Sequence, residues 1–437
     1  MSKKLQAKSF FKIIMLVISF RLLLDYGYIK FVYPLFEYSG FNYEFNLTKL
    51  FISWFVIVLV FLIVFLKKRS ALIYIYFLIY SITVVPNSSY YALSGSSEQS
   101  FWATTIVFTL ILIFIPARKK KYSYENGLSQ KKRNIIITII AIISSVNLLY
   151  LIYSTRGQYV LSFEDVYEFR ADNTASYSGI FGYLNNWTPK IFVPFLIAVG
   201  FIRKSRIVIS SSMMFCLLLF AFTGHKSILL PVILCVFLSL AFKSGSEDRY
   251  FERFSILCLS GLIAISAMGV GWYLWDGELF LGSILFRRAF FVPVYLNDIY
   301  FDMFSDLYDP IYWSNGLLSS FSIYPYGNEP ITRIVGAYLN LPNLNANTGF
   351  IASGFMQARY IGMALYTFIL IVINIMLARV SNRINPLMFN AILLLPFLTL
   401  FSSSDLPTTM LTHGLLIAII ILYLYSGVLK FSTSSQR

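Results

Sequence analysis

Apolar residues in this chain come in long runs, and the runs recur along its whole length. Reading for stretches of about 17–25 residues, the length that crosses a bilayer's hydrocarbon core, predicts helices at roughly 10–25, 47–66, 71–90, 101–117, 134–153, 188–202, 206–223, 226–242, 254–275, 348–377, 386–404 and 411–429. Short basic clusters separate many of them, such as Lys67-Lys68-Arg69 and Arg118-Lys119-Lys120-Lys121. Two polar segments are longer, at about 154–187 and 276–347. The expected fold is all-α: a polytopic integral membrane helical bundle of about 12 transmembrane helices, forming a single transmembrane domain over residues 1–437.

Composition sharpens this picture. The 437 residues are 58% hydrophobic and only 13% charged, against about 25% charged in a soluble domain. The net charge of +15 does not point to nucleic acid, because the bases are not gathered on one soluble face. They mark orientation instead. With the N-terminus inside, alternate loops hold 24 of the 35 Lys and Arg and only four of the 20 acids, Glu125, Glu247, Asp248 and Glu252. Both termini are therefore expected on the cytoplasmic side, and the two long segments on the outer side. Lys3, Lys4, Lys8 and Lys12 resemble the start of a signal peptide. The run that follows carries Arg21 and Asp25 and has no small-residue cleavage site, so it reads as a retained first helix.

The remaining chemistry is sparse. Cys216, Cys235 and Cys258 all lie inside apolar runs, which suits packing and neither a disulfide framework nor a CxxC metal site. No P-loop is present. Asp298, Asp302, Asp306 and Asp309 recur roughly every four residues, the spacing of one solvated helix face. That is not the alternating pattern of a calcium loop, and no metal site is expected.

Ionisable residues on the outer side near membrane depth are costly and draw attention. Arg156 and Arg170 flank Glu164, Asp165 and Glu168 in the first long segment. Arg287 and Arg288 interrupt apolar sequence in the second. A planar guanidinium binds phosphate bidentately, so this pair suits a lipid diphosphate; contact with anionic headgroups or with the loop's own acids suits it equally. His225 and Lys226 sit in the outer turn Thr223-Gly224-His225-Lys226-Ser227. There an imidazole could accept a sugar hydroxyl's proton or serve the turn alone. His413 reads as a packed residue. Glu329 and Arg333 lie later in the second long segment, and Arg359 lies inside the tenth run, where snorkelling or a phosphate partner would each explain it. Tyr167 and its aromatic neighbours suit either sugar faces or an interfacial belt.

Several of these features together resemble a known family. They are twelve runs with both ends inside, two enlarged outer loops bearing arginines, the turn Gly224-His225-Lys226-Ser227, and Asn347-Thr348-Gly349 followed by Gly354. The chain is similar in layout to the Wzy-type O-antigen or capsule repeat-unit polymerases of bacteria. The resemblance implies a C-type glycosyltransferase-like bundle in the inner membrane. Its implied reaction moves a growing glycan from undecaprenyl diphosphate to a new lipid-linked repeat unit at the periplasmic face, for lipopolysaccharide or capsule. It implies a metal-independent enzyme with no cofactor, and as partners the lipid-linked oligosaccharide, membrane lipids, a chain-length regulator and the pathway's flippase. On that reading Arg170, Arg287, Arg288, His225 and Glu168 are the catalytic candidates, and Arg156, Lys226, Arg333, Glu329, Arg359 and Tyr167 the substrate-binding ones. An O-antigen ligase and a lipid-linked oligosaccharide flippase share much of the layout and stand as alternatives.

Overall fold

The computed structural model describes residues 3–68, 70–116, 128–162, 165, 166, 169, 179–243, 249–316, 319, 320 and 323–427. Tyr167, Glu168 and Arg170 lie outside the described residues, as do Glu164 and much of the basic strip at 118–133.

An apolar chain without water at its backbone must satisfy each N–H and C=O internally, and a helix does so within one segment. Among the described residues there is no strand, only one isolated bridge between Glu44 and Ser94. In chain order the helices are α1 (Lys3–Gly27), α2 (Leu47–Leu66), α3 (Ile73–Ile79), α4 (Val85–Leu93), α5 (Glu98–Phe114), α6 (Gln130–Ser154), α7 (Ile180–Trp187), α8 (Val193–Arg203) and α9 (Arg206–Thr223). They continue as α10 (Leu230–Ala241), α11 (Tyr250–Asp276), α12 (Leu279–Leu307), α13 (Ile331–Tyr338), α14 (Phe350–Ser381), α15 (Pro386–Ser402), α16 (Leu406–Leu411) and α17 (Leu415–Ser426). Side-chain oxygens of Asn46, Ser97 and Ser205 cap the first turns of α2, α5 and α9.

Among the described residues six helices are long and apolar enough to cross a membrane: α2, α6, α9, α11, α12 and α14. On α2 the exposed face carries Phe51, Phe55, Leu59, Leu62 and Leu66. Such a continuous apolar surface suits lipid and not water, and the chain reads as a membrane protein. The single domain expected from the sequence divides into two compact units. Unit 1 comprises Met1–Ala117, Ser246–Ile375 and Leu398–Leu406; unit 2 comprises Arg118–Gly245, Met376–Phe397 and Pro407–Arg437.

Unit 1 is a bundle with two distinguishable ends. At the first end the C-termini of α1 and α4 meet the N-termini of α2 and α5. Tyr28 donates to the Asn42 carbonyl at 2.5 Å, Glu44 N–H to Leu93 at 2.8 Å, and Lys49 Nζ to Ser96 at 2.7 Å. At the opposite end Lys67 Nζ caps the Ile113 and Ile115 carbonyls at 2.8 and 2.9 Å. There Phe65, Tyr74 and Phe77 surround Phe251 of α11.

The 29 residues of α12 suffice to cross a bilayer, yet its contacts show that it does not traverse this unit. Its start lies at the first end, with Gly282 under Phe31 and Phe286 against Gly27. It reaches inward to Phe20 through Phe290. It then returns to the first end, where Tyr295 meets Phe41 and Tyr90, and Ser305 meets Gln99. A π-helical stretch at Ser283–Phe291, followed at once by Pro293, loosens the regular hydrogen bonding and accommodates the bend. Within the segment expected as an outer loop from about 276, residues 279–307 are thus helical, with both ends of α12 at one end of the unit.

The expected tenth span at 348–377 is also not one straight helix. Ala358 and Arg359 leave the helical region, Arg359 at φ 50 and ψ −135. Around them Gly354 and Gly362 touch, so that a Cβ on Gly362 would collide with the Gly354 carbonyl. Eight residues apart on a straight helix they would be separated by about 12 Å. The chain therefore reverses, making a hairpin with a short arm at 350–357 and a long arm at 360–381. The short arm starts deep, with Gly349 against the Leu400 and Phe401 carbonyls and Phe350 edge-on to Phe401. It climbs to the first end, where Ile311 and Tyr312 N–H groups bond to the Met356 and Gln357 carbonyls at 3.3 and 2.9 Å.

Arg21 and Asp25, which the sequence offered only as an argument against a signal peptide, tie α1 to two neighbours. Arg21 is fully buried; its Nε donates to Asp25 Oδ1 at 2.7 Å and its Nη2 to Ser53 Oγ of α2 at 3.3 Å. Ser89 of α4 donates to the same carboxylate oxygen.

In unit 2 Arg203 donates to Asn134 Oδ1 at 2.6 Å, Tyr150 stacks on Phe181 at 3.7 Å, and Val160 N–H bonds to the Ala221 carbonyl at 2.9 Å. Cys216 and Cys235 here, and Cys258 in unit 1, are buried free thiols.

Breaking the Arg21–Asp25 pair leaves a buried charge without its counterion, which costs about 3–5 kcal/mol, whereas replacing both partners by apolar residues is close to neutral. Asp25→Ala is expected to lower the thermal midpoint of the purified protein sharply. The double variant Arg21→Met/Asp25→Leu is expected to recover most of the loss; a double variant as unstable as the single one would refute this account.

Candidate functional site: a cleft at the hairpin corner

The corner of α14 opens onto a cleft of about 680 Å³ in unit 1, within the size range of small-molecule sites. Glu98, Gln99 and Trp102 line it from α5, Ser305 and Asp306 from α12, and Phe355, Arg359 and Tyr360 from α14.

Each wall is fixed by polar contacts. Ser97 caps α5 and is itself held by Asp298, whose Oδ1 accepts from Ser97 Oγ at 2.7 Å and from its N–H at 3.3 Å. Asn297 Nδ2 donates to Ser100 and Thr104 hydroxyls at 3.0 and 3.2 Å. One relay then joins all three walls: Ser305 Oγ donates to Gln99 Oε1 at 2.7 Å, and Gln99 Nε2 donates to the Tyr360 hydroxyl at 2.7 Å. Phe355 packs edge-on against the Tyr360 ring at 5.3 Å.

Arg359 is exposed on this cleft with its backbone in the left-handed region, a conformation costing a non-glycine residue about 1–3 kcal/mol and persisting only where the surroundings impose it. Here the hairpin imposes it. Trp313 N–H donates to Gln357 Oε1 at 2.6 Å, and Trp313 Nε1 donates to the Tyr366 hydroxyl at 2.7 Å. Asp405, in the connection between α15 and α16, accepts at Oδ1 from Ser353 Oγ at 3.0 Å and from Leu406 N–H at 2.8 Å. Burial pushes the Asp405 carboxyl above its usual range, and hydrogen bonds from Tyr366, Ser353, Leu406 and Gln357 offset part of that. A carboxyl in the hairpin's crook thus holds Ser353 and Gln357 on the short arm and Tyr366 on the long one.

One guanidinium, two carboxylates, amide and hydroxyl groups and three aromatic rings suit a ligand that is anionic in one part and polyhydroxylated in another. Among the described residues no group of three or more His, Cys, Asp or Glu is placed to hold a metal ion.

Of the residues singled out in the sequence, the cleft contains Arg359. Arg287 directs its guanidinium over Phe36 at 4.0 Å and donates to Ser283 Oγ at 3.1 Å, while Arg288 beside it is exposed. Neither lines the cleft. Arg333 on α13 is exposed; so is Glu329, whose backbone carbonyl accepts from the Tyr324 hydroxyl at 2.9 Å. Arg156, exposed at φ 53, and the half-buried His225 and Lys226 belong to unit 2.

Sequence reasoning missed Glu98, Asp306 and Asp405. It took Asp298 with Asp302, Asp306 and Asp309 as one solvated face. Asp298 departs from that: it is 5% exposed and fixes the start of α5. The available signal for Asp405 was an isolated acid immediately after an apolar run.

A carboxyl whose pKa is raised by folding binds its proton more tightly folded than unfolded. The stability it contributes therefore falls as pH rises from the ordinary value of 3.8 through the raised one. In Asp405→Asn this contribution is absent, so its thermal midpoint should gain on wild type as pH is raised from 4 to 8. Parallel curves for the two proteins would contradict the assignment.

Compared with known proteins, the chain matches no family model, no curated protein and no solved structure.

Proposed function

We propose that this chain is a polymerase of lipid-linked oligosaccharide repeat units, working at the outer face of a bacterial inner membrane. The observation that carries the reading is Arg359, held in a strained backbone at the corner of an embedded hairpin and facing a cleft with two carboxylates and aromatic rings. The first end of unit 1 is then the outer end. Lys67 at the opposite end falls in a basic inner cluster, consistent with twelve spans and both termini inside. The return of α12 to the end where it began leaves that count unchanged.

In the proposed reaction an acceptor sugar hydroxyl attacks the anomeric carbon of the donor glycan. The new carbon–oxygen bond forms as the bond to the undecaprenyl diphosphate oxygen breaks, and the diphosphate departs with the electron pair. Arg359, preset by the turn to face the cleft, stabilises the charge growing on that leaving group. Glu98 or Asp306 accepts the hydroxyl proton, a role the sequence had offered to His225, Glu168 or Glu329. Trp102, Tyr360 and Phe355 supply faces for sugar rings. Arg287 is already engaged by Phe36 and Ser283, and the pair Arg287–Arg288 fits a second phosphate contact at the membrane surface. Arg170 remains a catalytic candidate, and Arg156, Lys226, Arg333 and Tyr167 remain binding candidates.

Loss of one electrostatic stabiliser commonly slows a chemical step by about 10²–10³-fold. In a strain lacking the gene, surface glycan is expected to collapse to single repeat units. Wild type should restore the ladder, Arg359→Ala should fail to restore it at normal protein level, and Arg288→Ala should restore it in part. Full-length polymer left on the carrier would identify a ligase, and units trapped on the cytoplasmic side a flippase. An unchanged ladder in the knockout would end the reading altogether.

A further inference from the structure

Unit 2 contains a lysine–histidine pair that the reaction above does not use. Lys190 Nζ lies 2.7 Å from His413 Nδ1 and 3.3 Å from Asn186 Oδ1, with both side chains partly buried. An ammonium has only protons to give, so Nδ1 accepts, and the imidazole carries its hydrogen on Nε2. The pair therefore presents the one remaining ammonium hydrogen and an Nε2–H, both donors. No acid neutralises it among the described residues, where the single ion pair is Arg21–Asp25. A partly buried charge kept without a counterion costs stability, and a bound anion would offset that cost.

The surroundings are built to hold this pair still. Trp187 Nε1 donates to the Leu411 carbonyl at 2.7 Å. Gly414, at φ 81, leaves room for Trp187 and Ile191, each 3.0 Å from where a Cβ would sit. The two segments that meet here also each carry a fully buried threonine hydroxyl without a hydrogen-bond partner, Thr188 and Thr409.

We propose that Lys190 and His413 form a binding site for a phosphate oxyanion, independent of the Arg359 cleft and of the polymerase reading. The phosphate could belong to a lipid headgroup or to a soluble or substrate diphosphate; both offer the same acceptor oxygens.

The test uses the purified full chain in uncharged detergent, titrated with inorganic pyrophosphate and, separately, with short-chain phosphatidylglycerol, reading thermal stabilisation. Wild type should be stabilised by at least one of them, and Lys190→Met and His413→Phe should each weaken that response at least tenfold. Response to phosphatidylglycerol alone identifies a headgroup site; response to pyrophosphate alone or to both identifies a diphosphate site. Without ligand, Lys190→Met should melt no lower than wild type, since it removes an uncompensated charge. The proposal is overturned if neither ligand stabilises in a Lys190-dependent way. It is equally overturned if Lys190→Met misfolds or melts well below wild type, which would mark the lysine as internally paired.

Discussion

The structure depends on one constraint: backbone hydrogen bonds must be completed where water is scarce. Among the described residues seventeen helices answer it in the ordinary way, and the informative places are where the helical ladder is interrupted. At 358–359 the chain abandons helical geometry and turns back on itself. Two glycines let the arms touch, and Gln357, Trp313, Tyr366 and Asp405 provide the polar partners that a free turn would have taken from water. Irregular backbone in a membrane protein is tolerated where it is buried in protein or lines a cavity, and this corner, with Arg359 and Tyr360 exposed, lines the cleft.

The same logic explains why charges concentrate around these interruptions. Arg359 takes its position from the turn itself, and Asp298 from the exposed N–H groups at the start of α5. Arg21 and Asp25 differ: they sit within a regular helix and join it to α2 and α4. One class of buried charge shapes a cavity, and the other fastens the bundle.

The helical class and most of the apolar runs were legible in the sequence, because a run of bilayer length has a period-independent signature. Runs at 47–66, 134–153, 206–223 and 254–275 recur in α2, α6, α9 and α11. The hairpin was not legible. Residues 348–377 are predominantly apolar, and hydropathy cannot distinguish a helix that continues from one that doubles back; only Gly354 and Gly362, eight residues apart, hinted at close approach. The course of α12 was hidden for the same reason, since its apolar surface packs on protein. In the site, Arg359 stood out as a charge in an apolar run, whereas Glu98 and Asp306 belong to polar stretches that look solvated until the fold brings them together.

The hairpin has one more consequence. Its long arm runs from 360 to 381 as a continuous helix, and at about 1.5 Å per residue those 22 residues measure roughly 33 Å, close to the hydrocarbon thickness of about 30 Å. Within unit 1 the arm also carries Asn374, whose Nδ2 donates to the Tyr76 hydroxyl at 2.6 Å, so it works as a ruler that fixes how far Arg359 stands from that contact. Adding or removing one residue between them would swing the corner by about 100°. The sequence between Tyr360 and Asn374 therefore has tolerance in composition and almost none in length.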